Sequence, residues 1–311
     1  MKKRADPSLP SLAQRLRWAL EEDLGATGDV TSLALVPATR MADGIVLAKE
    51  GGVVCGVVLL RPVFRLAGEL LAERSRSRIP KSAKAFHVRL LAADGARVKP
   101  GDVVARLSGP ARVLLAGERT ALNLLCRLSG IATHAARFVE AVKGTRTKIL
   151  DTRKTTPLWR DLEKHAVACG GGLNHRRGLH DMVLIKDNHL ALWGARGPAA
   201  AVREARRRFP KLPVEVEVTD LPGLQQVCRE SDPDFVLLDN FTPARARAAV
   251  AWCARFCRGR KRRPRLEASG GISLENVRAF ARAGMDRISI GALTHSSRAL
   301  DVSLEITPRA D

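Results

Sequence analysis

The chain has 311 residues, enough for two domains of ordinary size or for one domain built around an α/β barrel. Its 45% hydrophobic and 27% charged residues are globular in composition, and no apolar run approaches the about 20 residues that span a bilayer. Fifty-three Lys and Arg against 32 Asp and Glu leave a net charge of +21, which favours anionic partners, while 4% aromatics and no Tyr leave little on which nucleic-acid bases could stack.

The N-terminus, Met1-Lys-Lys-Arg4, has the basic start of a signal peptide, but Ala5 to Gln14 holds no apolar core. No secretion signal is therefore expected, and the cytoplasm is the expected compartment. Six cysteines (55, 126, 169, 228, 253 and 257) are too sparse for a disulfide scaffold. Cys253 and Cys257 stand one turn apart on an expected helix and read as buried thiols. Ser11 to Leu24 is expected to be an amphipathic helix, ended by Gly25 and Gly28. From Ile45 to Leu107, short β-type runs alternate with turns at Gly51-Gly52, Asp94-Gly95 and Pro100-Gly101, and Ala93 to Gly109 reads as a β-hairpin. A helix from about Arg112 to Leu128 follows.

After residue 145, β-rich runs recur with helical stretches between them. They end at Asp151, Lys186, Glu217, Asp239, Ser269 and Gly291, spaced 35, 31, 22, 30 and 22 residues apart. That is the spacing of βα units, in an α/β barrel or a doubly wound sheet. The barrel is preferred, because its C-terminal strand ends converge on one mouth and a series of charged strand ends then has a purpose. Ser269-Gly270-Gly271 and Gly291-Ala292 follow the last two strands, where backbone N–H groups can approach a phosphate, and Ser273 is the expected cap of the helix after the first of them. Thr152-Arg153-Lys154, Lys186 and the glycine-rich loop Gly170 to Gly178, bearing His175, Arg176 and Arg177, supply cations for carboxylates or phosphates. The spacing of His175, His180 and His189 fits no familiar zinc pattern. Two strand-end carboxylates, Glu217 and Asp239, suit Mg²⁺ held jointly with substrate phosphates, with Glu215 competing on the strand and face of Glu217.

Thr152-Arg-Lys-Thr-Thr-Pro157, Gly170-Gly-Gly-Leu-Asn-His-Arg176, Asp181-Met-Val-Leu-Ile-Lys-Asp-Asn-His189, Glu215-Val-Glu217, Leu238-Asp-Asn240, Glu267-Ala-Ser-Gly-Gly-Ile272 and Ile288-Ser-Ile-Gly291 together resemble the quinolinate phosphoribosyltransferase family, and the likeness runs from Glu21 to about Ser297. The resemblance implies an N-terminal α/β sandwich over 1–117, with 297–311 packing back on it, and an incomplete α/β barrel over 118–296. It implies a homodimer or hexamer in which Arg119 is donated across the interface. It also implies that quinolinate and phosphoribosyl pyrophosphate react with Mg²⁺ to give nicotinate mononucleotide, pyrophosphate and CO2. In that reading Thr152, Arg153, Lys154, His175, Arg176 and Lys186 form the basic substrate pocket, with Lys154 and Lys186 also catalytic. Glu217, preferred over Glu215, and Asp239 serve the ribose hydroxyls, the metal and catalysis. Ser269, Gly270, Gly271, Gly291 and Ala292 hold the 5′-phosphate.

The sequence departs from the family at Leu158-Trp159, where Gly-Leu is usual, so the backbone of that loop is expected to differ. His165 and His180 stand where tyrosines are usual. The nearest alternative is a related type II phosphoribosyltransferase acting on nicotinate or another anionic base. Basic clusters at Arg74–Lys84, Arg203–Lys211 and Arg255–Arg265 raise a nucleic-acid reading, for which only weak, non-specific binding is expected.

Overall fold

The computed structural model describes residues 10–74, 86–260 and 262–309, and the chain divides into two units: Met1–Thr133 with Arg298–Asp311, and His134–Ser297. In the first, Ser11 accepts the Gln14 N–H and opens α1 (Leu12–Leu24), which buries Leu16, Leu20 and Leu24 and stops at Gly25 with φ +50°. Next come α2 (Val30–Leu35), β1 (Met41–Ala48), β2 (Gly52–Val53), α3 (Leu60–Arg74), β3 (His87–Leu90), β4 (Arg97–Val98), β5 (Val103–Pro110) and α4 (Ala111–Ala141). Every second residue of β1 is buried, the pattern of a strand with one face on a core.

The expected hairpin over Ala93 to Gly109 does not form. β4 pairs with β2, whereas β5 pairs with β1 and β3, so Pro100-Gly101 links two different sheets. Asp94 accounts for the diversion: its Oδ1 accepts the N–H groups of Gly56 and Val57 at 2.9 and 2.8 Å, drawing its segment toward β2. α4 also outruns its expected end at Leu128. Gly130 is no stop signal, because a Cβ there would lie 2.1 Å from the Arg298 carbonyl oxygen; the glycine serves close packing. The expected boundary at 117/118 falls inside this continuous helix, and the division between the units lies at Thr133/His134.

The second unit continues with β6 (Lys148–Leu150), α5 (Arg160–Cys169), β7 (Val183–Ile185), α6 (Asp187–Trp193), α7 (Gly197–Arg208), β8 (Val214–Val218), α8 (Leu221–Glu230), β9 (Phe235–Asp239), α9 (Pro243–Phe256), β10 (Arg265–Ser269), α10 (Val277–Arg282), β11 (Arg287–Ser289) and α11 (Ala292–His295). All six strands are parallel, in the order β6-β11-β10-β9-β8-β7. Beyond β6 there is one isolated bridge, Leu150 to Leu173, and β6 and β7 do not pair, so the barrel is incomplete. Ser273 does not cap α10; Asn276 is the N-cap position, and its Oδ1 accepts the Ser273 N–H at 2.9 Å in the turn that precedes the helix. β12 (Val302–Pro308) closes the chain, antiparallel to β1, giving the first unit a sheet of order β12-β1-β5-β3.

Many arginines that make the chain so basic are structural. Arg206 bonds Asp234 and the carbonyls of Leu212 and Asp232, Arg245 bonds the Thr219 carbonyl at 2.8 Å, and Arg278 bonds the Ala141 carbonyl at 2.8 Å. These guanidinium groups satisfy main-chain oxygens at element ends, which a count of opposite charges does not register. Arg207 and Arg208 share Glu204. The Arg74–Lys84 cluster lies outside the described residues from 75 onward. Cys253 is buried with its Sγ 3.9 Å from that of Cys257, and neither is bridged. No helix among the described residues is long and apolar enough to cross a membrane.

Candidate active site

A cleft of about 700 Å³ opens at the C-terminal ends of the parallel strands, and Thr152, Arg153, Lys154, His175, Arg176, Lys186, Asp239, Ser269, Gly270, Gly271, Gly291 and Ala292 all line it. Pleating explains the convergence. Glu217 pairs in register with Leu237, and Asp239 with Ser269, so Glu217, Leu237, Asp239 and Ser269 share the inward face of neighbouring strands. Glu217 lies just behind the wall, its Oε2 2.7 Å from Lys186 Nζ. Arg119 is exposed on α4 in the first unit, and the cleft residues all belong to the second.

The loop after β6 is held from several sides. Thr152 Oγ1 accepts the Lys154 N–H at 3.1 Å, and Thr294 Oγ1 on α11 donates to the Lys154 carbonyl at 2.7 Å. Glu163 of α5 accepts the N–H and hydroxyl of Thr156 at 3.2 and 2.8 Å. Leu158 sits at φ +66°, in the left-handed region where glycine is at ease. The turn is left-handed with leucine in it, at the position where the resemblance leads one to expect glycine.

The phosphate-type loops use glycine for two different reasons. Gly270 has φ +90°, and a Cβ on it would fall 2.2 Å from Asn240 Oδ1. Asn240, itself at φ +53°, receives its place from its own N–H, which donates to the Ser269 carbonyl at 2.9 Å. Gly291 has an ordinary φ of −67°, but a Cβ there would lie 2.8 Å from Lys154 Cδ and 3.1 Å from His295 Nε2. Its missing side chain makes room for the lysine.

Two buried charge clusters lie under the cleft. Asp151, fully buried although it ends a strand, is an internal girder: it pairs with Lys164 and accepts the His175 N–H at 2.9 Å, while Lys164 Nζ donates to the His175 carbonyl at 3.2 Å. Burial pushes the Asp151 carboxyl up and the Lys164 ammonium down, against their mutual attraction. The second cluster surrounds the His175 ring. Nε2 stands 3.0 Å from Glu215, 3.3 Å from Glu267 and 3.1 Å from Arg287 Nη2, and Arg287 pairs with both acids. Burial would lower the proton affinity of His175, but hydrogen bonds to Glu215 and Glu267 overcome it and raise the pKa to about 9. Nδ1 accepts the Arg176 N–H at 2.7 Å, so the ring as placed carries its proton on Nε2, and a second proton would have to displace that bond. Although His175, Glu215 and Glu267 have a metal-like spacing, Arg287 already supplies the cation there.

Glu217 Oε1 and Asp239 Oδ1 make no hydrogen bond to the described protein, leaving two hard oxygen donors at adjacent strand ends. Glu215, by contrast, is fully buried and committed to His175 and Arg287. Sequence reasoning missed Arg287, and passed over Glu267 as a strand residue. The available signal was Glu267 at the centre of its strand, between Leu266 and Ala268; Arg287, at the start of β11, carried none.

Two family models match the chain: the quinolinate phosphoribosyl transferase N-terminal domain over residues 29–129 and its C-terminal domain over residues 131–305. The chain is 41% identical over 308 residues to the nicotinate-nucleotide pyrophosphorylase [carboxylating] of Mycobacterium leprae, covering 97% of this chain and 99% of that one. It is 38% identical to the probable enzyme of the same name from Bacillus subtilis, covering 92% and 90%. Among solved structures, NadC from Streptococcus pyogenes superposes with a TM-score of 0.82 at 35% identity, covering 95% of this chain and 96% of that one.

Proposed function

Since the chain belongs to the quinolinate phosphoribosyl transferase family, we propose that it joins quinolinate to phosphoribosyl pyrophosphate, giving nicotinate mononucleotide, pyrophosphate and CO2. The observation that carries this reading is the cleft itself, where Arg153, Lys154, Arg176 and Lys186 face the inward strand ends beside Asp239 and the Gly270-Gly271 and Gly291 loops. A dicarboxylate and a pyrophosphate need that many cations, whereas nicotinate, the substrate of the nearest alternative, has one carboxylate. Ser269, Gly270, Gly271, Gly291 and Ala292 are assigned to the 5′-phosphate, through their main-chain N–H groups. Thr152, through its bond to the Lys154 N–H, holds the cationic loop in register.

The ring nitrogen of quinolinate attacks the ribose C1 as the C1–O bond to pyrophosphate breaks. Positive charge on the ribose is stabilised by the carboxylates of Glu217 and Asp239, which are fixed in place before the reaction. Glu217 holds the Lys186 ammonium and Thr294 holds the main chain of Lys154, from which that side chain enters the cleft beside anionic oxygens. When the 2-carboxylate then departs as CO2, its electron pair stays on C2, stabilised by the adjacent positively charged nitrogen, and C2 takes up one proton. No general base is required; the protein's contribution is positioning and charge. Mg²⁺, for which Glu217 and Asp239 offer oxygen donors, would neutralise the leaving pyrophosphate. A homodimer or hexamer, with Arg119 reaching a neighbouring subunit's cleft, completes the reading.

The test is product formation by the purified protein with quinolinate, phosphoribosyl pyrophosphate and Mg²⁺. Nicotinate mononucleotide should form and should be abolished by chelation. Its absence with all three present would overturn the assignment.

A further inference from the structure

His175 is gripped on both sides by buried charge. Its main chain is fixed by the Asp151–Lys164 pair, which takes its N–H at 2.9 Å and its carbonyl at 3.2 Å. Its ring is fixed by Glu215, Glu267 and Arg287, and passes the constraint onward, since Nδ1 accepts the N–H of Arg176 at 2.7 Å. Glu215, Glu267 and Arg287 stand on three different strands, β8, β10 and β11, so the ring reports on the alignment of the sheet itself. Arg287 is immobilised in turn, its guanidinium stacked 3.8 Å over the Phe235 ring. Both acids are fully buried and the His175 side chain is only 6% exposed.

Burying two carboxylates beneath a cleft built for anions opposes anion binding unless they do something the cleft needs. We propose that Glu215, Glu267 and Arg287 are positioning residues for the base substrate, acting through the His175 ring to hold Arg176 where it meets a carboxylate of the substrate. The ring is held in one orientation, because Nδ1 accepts the Arg176 N–H while Nε2 is enclosed by Glu215, Glu267 and Arg287. The peptide after it then has one orientation, and the Arg176 side chain leaves from that peptide into the cleft. A loosely held loop would place the guanidinium less accurately and weaken its bidentate contact with a carboxylate. This rests on the reading of the cleft as a quinolinate and phosphoribosyl pyrophosphate site.

The experiment compares Glu267→Gln and Arg287→Lys with wild type in steady-state kinetics for each substrate, with thermal melts as a check on folding. The expected result is a KM for quinolinate raised roughly tenfold or more, on the scale of outer-shell partners, with the KM for phosphoribosyl pyrophosphate nearly unchanged. In a His175→Ala background, Glu267→Gln should add nothing further to the quinolinate KM. An unchanged quinolinate KM, equal rises in both KM values, or an undiminished effect without His175 would overturn the proposal. Should Glu267→Gln fail to fold, Arg287→Lys, which keeps the charge, carries the same comparison. If wild type does not turn over quinolinate, the assignment of function falls by itself. Amide hydrogen exchange over residues 174–177 then decides the positioning role: faster exchange in the variants supports it, and unchanged exchange refutes it.

Discussion

Leu158 offers a clean measurement of backbone strain beside the cleft. Its φ of +66° belongs to the left-handed region, and its side chain is half exposed. Replacing it with alanine and with glycine removes the same side chain, so the difference between the two variants isolates the backbone. An L-residue in the left-handed region costs roughly 1–2 kcal/mol. Glycine loses more chain entropy on folding, by roughly 0.5–1 kcal/mol relative to alanine. The balance makes Leu158→Gly more stable than Leu158→Ala by about 1 kcal/mol, the reverse of their order at an ordinary position. Urea denaturation of both variants, with equal m-values, measures the difference directly. If the alanine variant is as stable as the glycine variant or more so, the turn is not left-handed and the reasoning fails.

Gly291→Ala should leave stability nearly unchanged, because its φ is ordinary, yet lower kcat/KM by about tenfold as the new Cβ displaces Lys154; Gly270→Ala should be destabilising as well, since its φ of +90° and its contact with Asn240 both forbid a Cβ. Equal melting temperatures for the two variants would contradict this division. Removing one partner of the buried Asp151–Lys164 pair, as in Asp151→Ala, should cost about 3–5 kcal/mol, and the double variant Asp151→Leu with Lys164→Met should cost less than either single change, as measured by chemical denaturation.

The cleft was legible in the sequence because strand ends are. Lys186, Asp239 and Ser269 each follow an apolar run, and the spacing of those runs announces parallel βα units whose ends converge. The glycines at 270 and 291 could be read as phosphate loops, but not why each is glycine, since one answers to φ and the other to Lys154. Asp151 marks the limit of the strand-end rule: the pattern places it with the others, while the fold turns it inward to Lys164. The cluster of Glu215, Glu267 and Arg287 depends on three strands separated widely in the chain, and local pattern has no access to such a meeting. For the same reason the hairpin expected over Ala93 to Gly109 failed, because Asp94 finds its partners near residue 56. The charge of +21 indicated anions in general; in the fold, much of it is spread over arginines bound to carbonyls and carboxylates of their own chain.

The central claim is that the cationic cleft is provisioned for two carboxylates and releases one of them. The most direct measurement supplies quinolinate and nicotinate in parallel, with phosphoribosyl pyrophosphate and Mg²⁺, and follows CO2 and pyrophosphate together. Quinolinate should yield the two in equal amounts, with nicotinate a far poorer substrate. Turnover of nicotinate without turnover of quinolinate would contradict the account.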